Sequence, residues 1–133
     1  LNKKAAEIGM RDTILNDSSG LADTNLTSAE DMLSLIEYVY EKHPEILNWT
    51  RLTNYLVQPT NTTESRTIQN IHPFADDKFF LGGKTGTSEA AGQNMVAVFS
   101  FKDFRIAVVV LGSPDRVKET RNILTWIGEA YNW

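Results

Sequence analysis

A short polar segment between two apolar stretches combines residue types that could do chemistry. Residues 80–94 read FLGGKTGTSEAAGQN and contain Lys84, Thr85, Gly86 and Thr87 in succession. Lysine supplies a compact positive charge with three N–H donors, and threonine supplies a hydroxyl group. Glycine lets another molecule come close to the backbone. Together these residues could bind an anionic group beside a strand.

A phosphate-binding loop is one interpretation of Gly83, Lys84 and Thr85, and the surrounding sequence argues against it. Such a loop needs another glycine five residues before Gly83, where this chain has Lys78. It also needs a helix directly afterwards, whereas the residues that follow predict a strand. A second interpretation is that the segment only begins a strand, with Lys84 discouraging edge-to-edge pairing. The tripeptide alone leaves that second interpretation open.

Composition excludes several classes of function. The chain has 133 residues, 41% of them hydrophobic, which is enough for one modest core. A net charge of −4 without a basic run argues against a nucleic-acid partner. There is no cysteine, which excludes disulfides and thiol nucleophiles. Because His43 and His72 have no matching cluster of ligands, the sequence predicts neither a metal site nor a cofactor.

The first part of the chain predicts helices. Residues 5–9 have the pattern of a short helix that ends at glycine, and residues 16–27 are rich in Asn, Asp, Ser and Gly, which favours a loop. Thr27 and Glu30 match a capping box in front of apolar residues at helical spacing. Pro44 suits the first turn of a further, shorter helix.

The last part predicts an antiparallel sheet and a helix. Residues 95–101 and 104–111 are apolar, favour strands and predict a hairpin. Their nearly continuous apolarity predicts cover on both faces of the sheet. Residues 117–131 have the pattern of an amphipathic helix, which we expect to lie on that sheet.

The middle of the chain has a weaker pattern. Between residues 54 and 78 we expect only short strands, at YLVQ and RTIQNI. The prediction is therefore a single partial domain over residues 1–133. Its parts are a helical portion over 1–56, an irregular connection over 57–83, and a sheet with the terminal helix over 84–133.

Three segments, taken in order, resemble one known family. LNKKAAEIGMRDTILNDSSGLADTNLTSAEDM, GGKTGTSEAAGQNMVAVFSF and RIAVVVLGS, followed by a closing helix, resemble the second half of serine D-alanyl-D-alanine carboxypeptidases, the low-molecular-mass penicillin-binding proteins. Residues 43–78 fit this family least well. The resemblance implies an α+β fold, the carboxyl-terminal part of the penicillin-binding and β-lactamase-like transpeptidase fold. That part has a three-stranded antiparallel sheet, a covering C-terminal helix and a helical lobe.

Enzymes of this family carry three motifs, of which this chain has one. The motifs are Ser-x-x-Lys with the nucleophile, Ser-x-Asn, and Lys-Thr-Gly on a strand. No serine of the chain is followed by lysine three positions later or by asparagine two positions later. In the family both absent motifs precede a helix like the one at residues 1–10. The resemblance therefore implies a carboxyl-terminal portion that lacks the nucleophile and is inactive by itself.

The resemblance also implies a role for each residue of the remaining motif. Lys84 would face the cleft and join the network around the nucleophile, while Thr85 would bind the terminal carboxylate of D-Ala-D-Ala or of a β-lactam. Gly86 would let the backbone come close to the acyl group. The Thr87 backbone N–H would donate to the oxyanion, and its hydroxyl would be a second contact to the carboxylate. The strand would pair with the substrate peptide main chain to main chain.

A hydrolase of the bacterial cell wall is the function that the resemblance implies. The parent enzyme would remove the terminal D-Ala of peptidoglycan stem peptides through an acyl-enzyme, be acylated by β-lactams, and act outside the cytoplasm, in the periplasm or at the outer face of the cytoplasmic membrane. The alternatives are a β-lactamase-type acyl-serine enzyme and a non-catalytic module that binds a peptide tail. Because residues 104–111 would form an unpaired edge, the expected partner is the amino-terminal half of the same enzyme or a second copy.

Overall fold

The computed structural model describes residues 1–61 and 64–131, and its helices and strands are segregated along the chain, as the α+β prediction requires. In the described residues the helices come first, the strands occupy the middle of the chain, and a last helix follows them. Among the described residues, no helix is both long and apolar enough to cross a membrane. The bounds are α1 Asn2–Glu7, α2 Ala29–Lys42, α3 Pro44–Thr50, β1 Asn54–Val57, β2 Arg66–Gln69, β3 Phe80–Ser88, β4 Gly92–Phe101, β5 Phe104–Ser113 and α4 Arg116–Ala130.

The larger sheet has the order β3-β4-β5 and is antiparallel throughout, which confirms the predicted three-stranded sheet. Thr85 pairs with Met95 between β3 and β4, and Phe101 pairs with Phe104 at the turn between β4 and β5. Lys102 occupies that turn with a φ of 51°, the left-handed conformation that a tight hairpin requires. In this order β3 and β5 are the two edge strands.

Both faces of the sheet are covered, as the apolar pattern of β4 and β5 predicts. Because side chains alternate along a strand, Met95, Ala97 and Phe99 point to one face of β4, and Val96 and Val98 point to the other. All five are almost fully buried. Helix α4 packs over the first face and α2 over the second. The core on the α4 side consists of Phe74, Phe80, Met95, Ala97, Phe99, Val108 and Val110, with Ile106, Val117, Ile123 and Leu124 packed against it.

The predicted capping box at the start of α2 is wrong by one position. Ser28 is the N-cap, and its hydroxyl accepts a hydrogen bond from the backbone N–H of Asp31 at 3.1 Å. The hydroxyl of Thr27 instead bonds to the hydroxyl of Thr13, 2.8 Å away. Both residues are N-cap formers, and the tertiary contact with Thr13 decides between them. The predicted first turn at Pro44 is confirmed, since α3 begins there.

A buried carboxylate joins α2 to the segment after α1. Asp31 is 4% exposed and accepts hydrogen bonds from the backbone N–H of Arg11, the backbone N–H of Asp12 and the hydroxyl of Thr13. The oxygens of a buried carboxyl group need donors around them in this way. Asp31 therefore fixes the start of α2 against residues 11–13.

The middle of the chain is more ordered than an irregular connection. Strands β1 and β2 form a separate antiparallel pair in which Tyr55 is opposite Ile68 and Leu56 is opposite Thr67. They overlap the YLVQ and RTIQNI segments and confirm the two short strands. In addition, β3 begins at Phe80, because Phe80 pairs with Phe99, so part of the predicted connection over 57–83 already belongs to the sheet.

Replacing Asp31 with alanine is expected to lower the free energy of unfolding by about 3 kcal/mol, because three donors lose their buried acceptor. Urea unfolding followed by circular dichroism measures this change. The control is Glu30→Ala, an exposed position in the same first turn of α2. Equal losses for the two variants would show that Asp31 acts only through its charge at the helix start.

Candidate functional site

The Lys84 to Thr87 segment lies on β3, an edge strand of the larger sheet. Its four residues differ in how far they are exposed. Lys84 is exposed, and its ammonium group donates a hydrogen bond to the carbonyl oxygen of Thr85. Thr85 is 9% exposed, while Gly86 and Thr87 are exposed. Among the described residues β3 pairs only with β4, so no strand lies along its other edge.

Two glycines let β3 approach α3 and β4 at backbone distance. A Cβ atom on Gly82 would lie 2.7 Å from the Leu47 carbonyl oxygen, and one on Gly83 would lie 2.3 Å from the Val96 carbonyl oxygen. Real Cβ atoms do not come that close to backbone, so any side chain would force the strands or the helix apart. Gly82 also has a φ of 139° and marks an irregularity in the pairing of β3 with β4. These positions require glycine for packing.

The hydroxyl of Thr50 links the end of α3 to the start of the motif. It donates to the Leu47 carbonyl oxygen at 3.2 Å and accepts from the backbone N–H of Gly83 at 3.1 Å. One side chain thus satisfies a helix carbonyl and a strand N–H together. This contact helps to fix the backbone position of Lys84, the next residue.

Gly86 has a different environment from Gly82 and Gly83. A Cβ atom built there meets no other atom within 4 Å, so the space next to the backbone is open. Glycine is not required at this position by the packing of the fold. The open side of Gly86 is therefore where another molecule can come near the strand.

A second cation reaches the same segment from the first residue of α4. One guanidinium nitrogen of Arg116, Nη1, donates to the Gly86 carbonyl oxygen at 2.9 Å and to the Thr87 hydroxyl oxygen at 2.6 Å. The Thr87 hydroxyl accepts this bond and keeps its own hydrogen for donation to a ligand. Lys84 and Arg116 thus flank Thr85, Gly86 and Thr87. This arrangement of two charges and two hydroxyls can bind a carboxylate.

A cavity of about 640 Å³ adjoins the Lys84 end of the segment. Its walls come from α3, the β1–β2 hairpin, the loop after β2, and residues 83–85 of β3. We call it the hairpin groove. Its apolar lining consists of Trp49, Leu52, Tyr55, Ile68 and Ile71. Among the lining residues that the structure describes, Lys84 supplies the one positive charge and none is a carboxylate.

Asn70 holds the hairpin in place at the base of this groove. Its side-chain amide donates to the carbonyl oxygens of Thr50 and Leu52, at 2.8 and 2.7 Å, and its oxygen accepts from the backbone N–H of His72. The first two bonds connect α3 and the segment after it to the chain that leaves β2, and the third is local to that chain. The amide of Asn70 is therefore occupied by structural contacts.

His72 is a buried wall residue of the groove. Its ring is 6% exposed and stacks on Phe80, with 4.3 Å between the ring centroids, and its Nδ1 accepts from the backbone N–H of Phe74. Burial lowers the pKa of His72 to about 4, and the positive charges of Arg116 and Lys84 act in the same direction, while the Val96 carbonyl opposes them. The imidazole is therefore neutral at pH 7.

The structure brings together all four residues that the sequence predicts for the site, on one strand and beside an open edge. Sequence reasoning missed Arg116, Thr50 and the hairpin groove. The signal for Arg116 was weak, since an arginine at the first turn of a helix is ordinary. The sequence gives no role to His72, and the structure places it in the wall beneath Gly83.

Comparison with known proteins decides the family. A model of the D-alanyl-D-alanine carboxypeptidase family, peptidase family S11, matches residues 1–115. The chain belongs to the D-alanyl-D-alanine carboxypeptidase family. A curated relative, the D-alanyl-D-alanine endopeptidase of Haemophilus influenzae, is 30% identical over 100 residues, which are 74% of this chain and 33% of that protein.

Solved structures of this and related families have the same fold. A D-alanyl-D-alanine carboxypeptidase of Mycobacterium tuberculosis is 22% identical with a TM-score of 0.84, and the match covers 98% of this chain and 52% of that one. Penicillin-binding protein 6B of Escherichia coli is 26% identical with a TM-score of 0.77, covering 94% and 39%. This family member therefore spans about half the length, or less, of the proteins that it matches.

Replacing Gly83 with alanine is expected to lower the free energy of unfolding by about 2 kcal/mol or more, because the new methyl group meets the Val96 carbonyl. Gly86→Ala is the matched control on the same strand, and we expect it to change stability by less than about 1 kcal/mol because the space is open. Urea unfolding of both variants measures the difference. A similar loss at both positions would mean that strand propensity, rather than close packing, explains the effect.

The burial of His72 predicts a pH dependence of stability. In the unfolded chain His72 binds its proton near pH 6.5, whereas in the folded chain it does so near pH 4. Between these values the unfolded state binds more protons, so stability falls as the pH is lowered from 6.5 to 4, by up to about 3 kcal/mol, and this contribution is constant below pH 4.

The variant His72→Asn tests this assignment, because an amide oxygen can still accept from the Phe74 N–H but does not titrate. Urea midpoints measured across this pH range should decline less steeply in the variant than in the unmodified protein. Parallel declines would assign the acid sensitivity to carboxylates elsewhere in the chain.

Proposed function

We propose that this chain supplies the carboxylate-binding and oxyanion-binding wall of a serine D-alanyl-D-alanine peptidase that acts on peptidoglycan stem peptides. The observation that supports it most is that Lys84 and Arg116 flank Thr85, Gly86 and Thr87 on an edge strand whose outer side is open. Two cations and two hydroxyls suit the anionic end of a peptide. The family match favours this substrate, and the similar fold of penicillin-binding protein D2 from Listeria monocytogenes, solved in its cefotaxime-bound form, favours β-lactams as ligands.

The proposed reaction is acyl transfer through a serine. The serine oxygen attacks the carbonyl carbon of the penultimate D-Ala, the C–N bond to the leaving amino acid breaks, and the leaving amine takes a proton. Water then hydrolyses the ester. In this scheme the Thr87 N–H donates to the oxyanion, Thr85 and Arg116 hold the leaving carboxylate, and Lys84 joins the network around the nucleophile.

No Ser-x-x-Lys is present among these 133 residues, and in the proposed scheme the nucleophile comes from residues outside them. We propose that it belongs to an amino-terminal half that docks along β5, which has no further strand beside it in the described part of the chain. A second copy covering this edge is the other proposed arrangement. We expect this chain alone to be inactive, and the assembled enzyme to act outside the cytoplasm, where peptidoglycan lies.

Replacing Thr85 with valine in the full-length protein is expected to slow both penicillin acylation and D-Ala release, by about a hundredfold, because the hydroxyl that binds the carboxylate is lost. Labelling with a fluorescent penicillin and release of D-Ala from a D-Ala-D-Ala peptide measure the two steps. Thr125→Val, at an exposed position of α4, is the control. Unchanged rates in Thr85→Val would contradict the assignment.

The same labelling experiment separates the alternative functions. A stable penicilloyl adduct supports a D-Ala peptidase, rapid loss of the label with hydrolysed penicillin in solution supports a β-lactamase, and binding of the peptide without any adduct supports a non-catalytic module. Each of the last two outcomes would contradict the proposal.

A further inference from the structure

Three polar side chains form a row across the larger sheet, at the end of the sheet where α4 begins. Thr87 of β3 is paired with Gln93 of β4, and Gln93 is paired with Ser113 of β5. Each side chain of the row bonds to the first residue of α4 or to the residues just before it. The strand that carries the proposed oxyanion donor and the helix that carries Arg116 are therefore joined through this row.

Gln93 holds the backbone on both sides of Asp115, the N-cap of α4. Its side-chain nitrogen donates to the Pro114 carbonyl oxygen at 2.9 Å, and its side-chain oxygen accepts from the backbone N–H of Arg116 at 3.4 Å. The first N–H groups of a helix have no acceptor within the helix, so a side chain from another element can hold that end. Gln93 thus sets where the backbone of Arg116 lies relative to β4.

The guanidinium group of Arg116 depends on this backbone position. An arginine side chain has several rotatable bonds, so fixing its end costs conformational entropy, and this cost is lower when the backbone is already held. Its Nη1 bonds to the Gly86 carbonyl oxygen and the Thr87 hydroxyl, whereas its Nε is buried without an acceptor in the described part of the chain. A shift in the first turn of α4 would move Nη1 away from both of its acceptors.

We propose that Gln93 is a positioning residue for carboxylate binding, because it holds the start of α4. With α4 held in this way, the guanidinium group of Arg116 stays bonded to Gly86 and Thr87, next to the anionic end of the peptide. This inference rests on the proposed function and deepens it. Gln93 acts through Arg116, so it affects the binding of the terminal carboxylate and not the attack of the serine.

The test uses the full-length protein and two peptides that differ only at the terminal D-Ala, which carries a carboxylate in one and a carboxamide in the other. We expect the unmodified protein to prefer the carboxylate peptide by about a hundredfold in kcat/KM, because the carboxamide loses the charge-assisted hydrogen bonds. Gln93→Met keeps the length of the side chain but loses both hydrogen bonds, and it should reduce this preference about tenfold. Its rate on the carboxamide peptide should change less than about twofold, whereas general loosening of the fold would lower both rates. Chromatography of the released D-Ala or D-Ala amide measures the two rates.

Further variants separate positioning from a loss of folded protein. Both rates are measured on one preparation, so a partly unfolded fraction cancels in their ratio, and Gln93→Ser should give the same reduction as Gln93→Met. Arg116→Ala should reduce the preference at least as much. Adding Gln93→Met to Arg116→Ala should cause no further fall, because the effect of Gln93 passes through Arg116.

Asn94→Ala is the matched control on the same strand. Like Gln93, Asn94 bonds from its side chain to backbone groups, but these belong to Ala91, Gly92 and Gly112 rather than to the start of α4. This variant should keep the full preference. An unchanged preference in Gln93→Met, or an equal fall in Asn94→Ala, would overturn the positioning role, while the preference of the unmodified protein would still support the proposed function. Equal rates on the two peptides in the unmodified protein, or no release from either, would overturn both.

Discussion

The close approach of three backbones at Gly82 and Gly83 is the constraint on which the site depends. A Cβ atom at either position would lie less than 3 Å from a carbonyl oxygen of α3 or of β4. Because no side chain separates these elements, α3 lies directly on β3, and the Thr50 hydroxyl can bond to the Gly83 N–H. Asn70 then ties the β1–β2 hairpin to the same end of α3. The groove beside Lys84 is a consequence of this packing.

The region around Lys84 carries positive charge, although the chain as a whole has a negative net charge. The net charge is −4, yet Lys84 and Arg116 both lie beside Thr85, Gly86 and Thr87, and the described lining of the groove contains no carboxylate. Local potentials are set by such placement rather than by the total charge. The buried imidazole of His72 stays neutral next to these cations because burial holds its pKa near 4. The strand therefore presents positive charge at its open edge while its underside remains uncharged.

Much of the fold could be predicted, since the deciding patterns are local. The apolar runs of β4 and β5 and the amphipathic pattern of α4 each predict their element without knowledge of the rest. The start of α2 could not be assigned in this way, since Thr27 and Ser28 are both good caps and the contact between Thr27 and Thr13 selects Ser28. The groove was also beyond sequence reasoning, because its walls come from four separate segments, three of which lie in residues 43–78, the region that resembles the family least.

Residue order and periodicity within single segments were enough to predict the α+β class and the antiparallel sheet and to find the motif Lys84 to Thr87 with its family resemblance. The tertiary structure alone decided that Arg116 reaches Gly86 and Thr87, that His72 is buried beneath β3, and that Tyr55 and Ile68 face a groove. Those facts depend on distances between residues that are far apart along the chain. Such distances are fixed only when α3 and β3 pack at backbone contact.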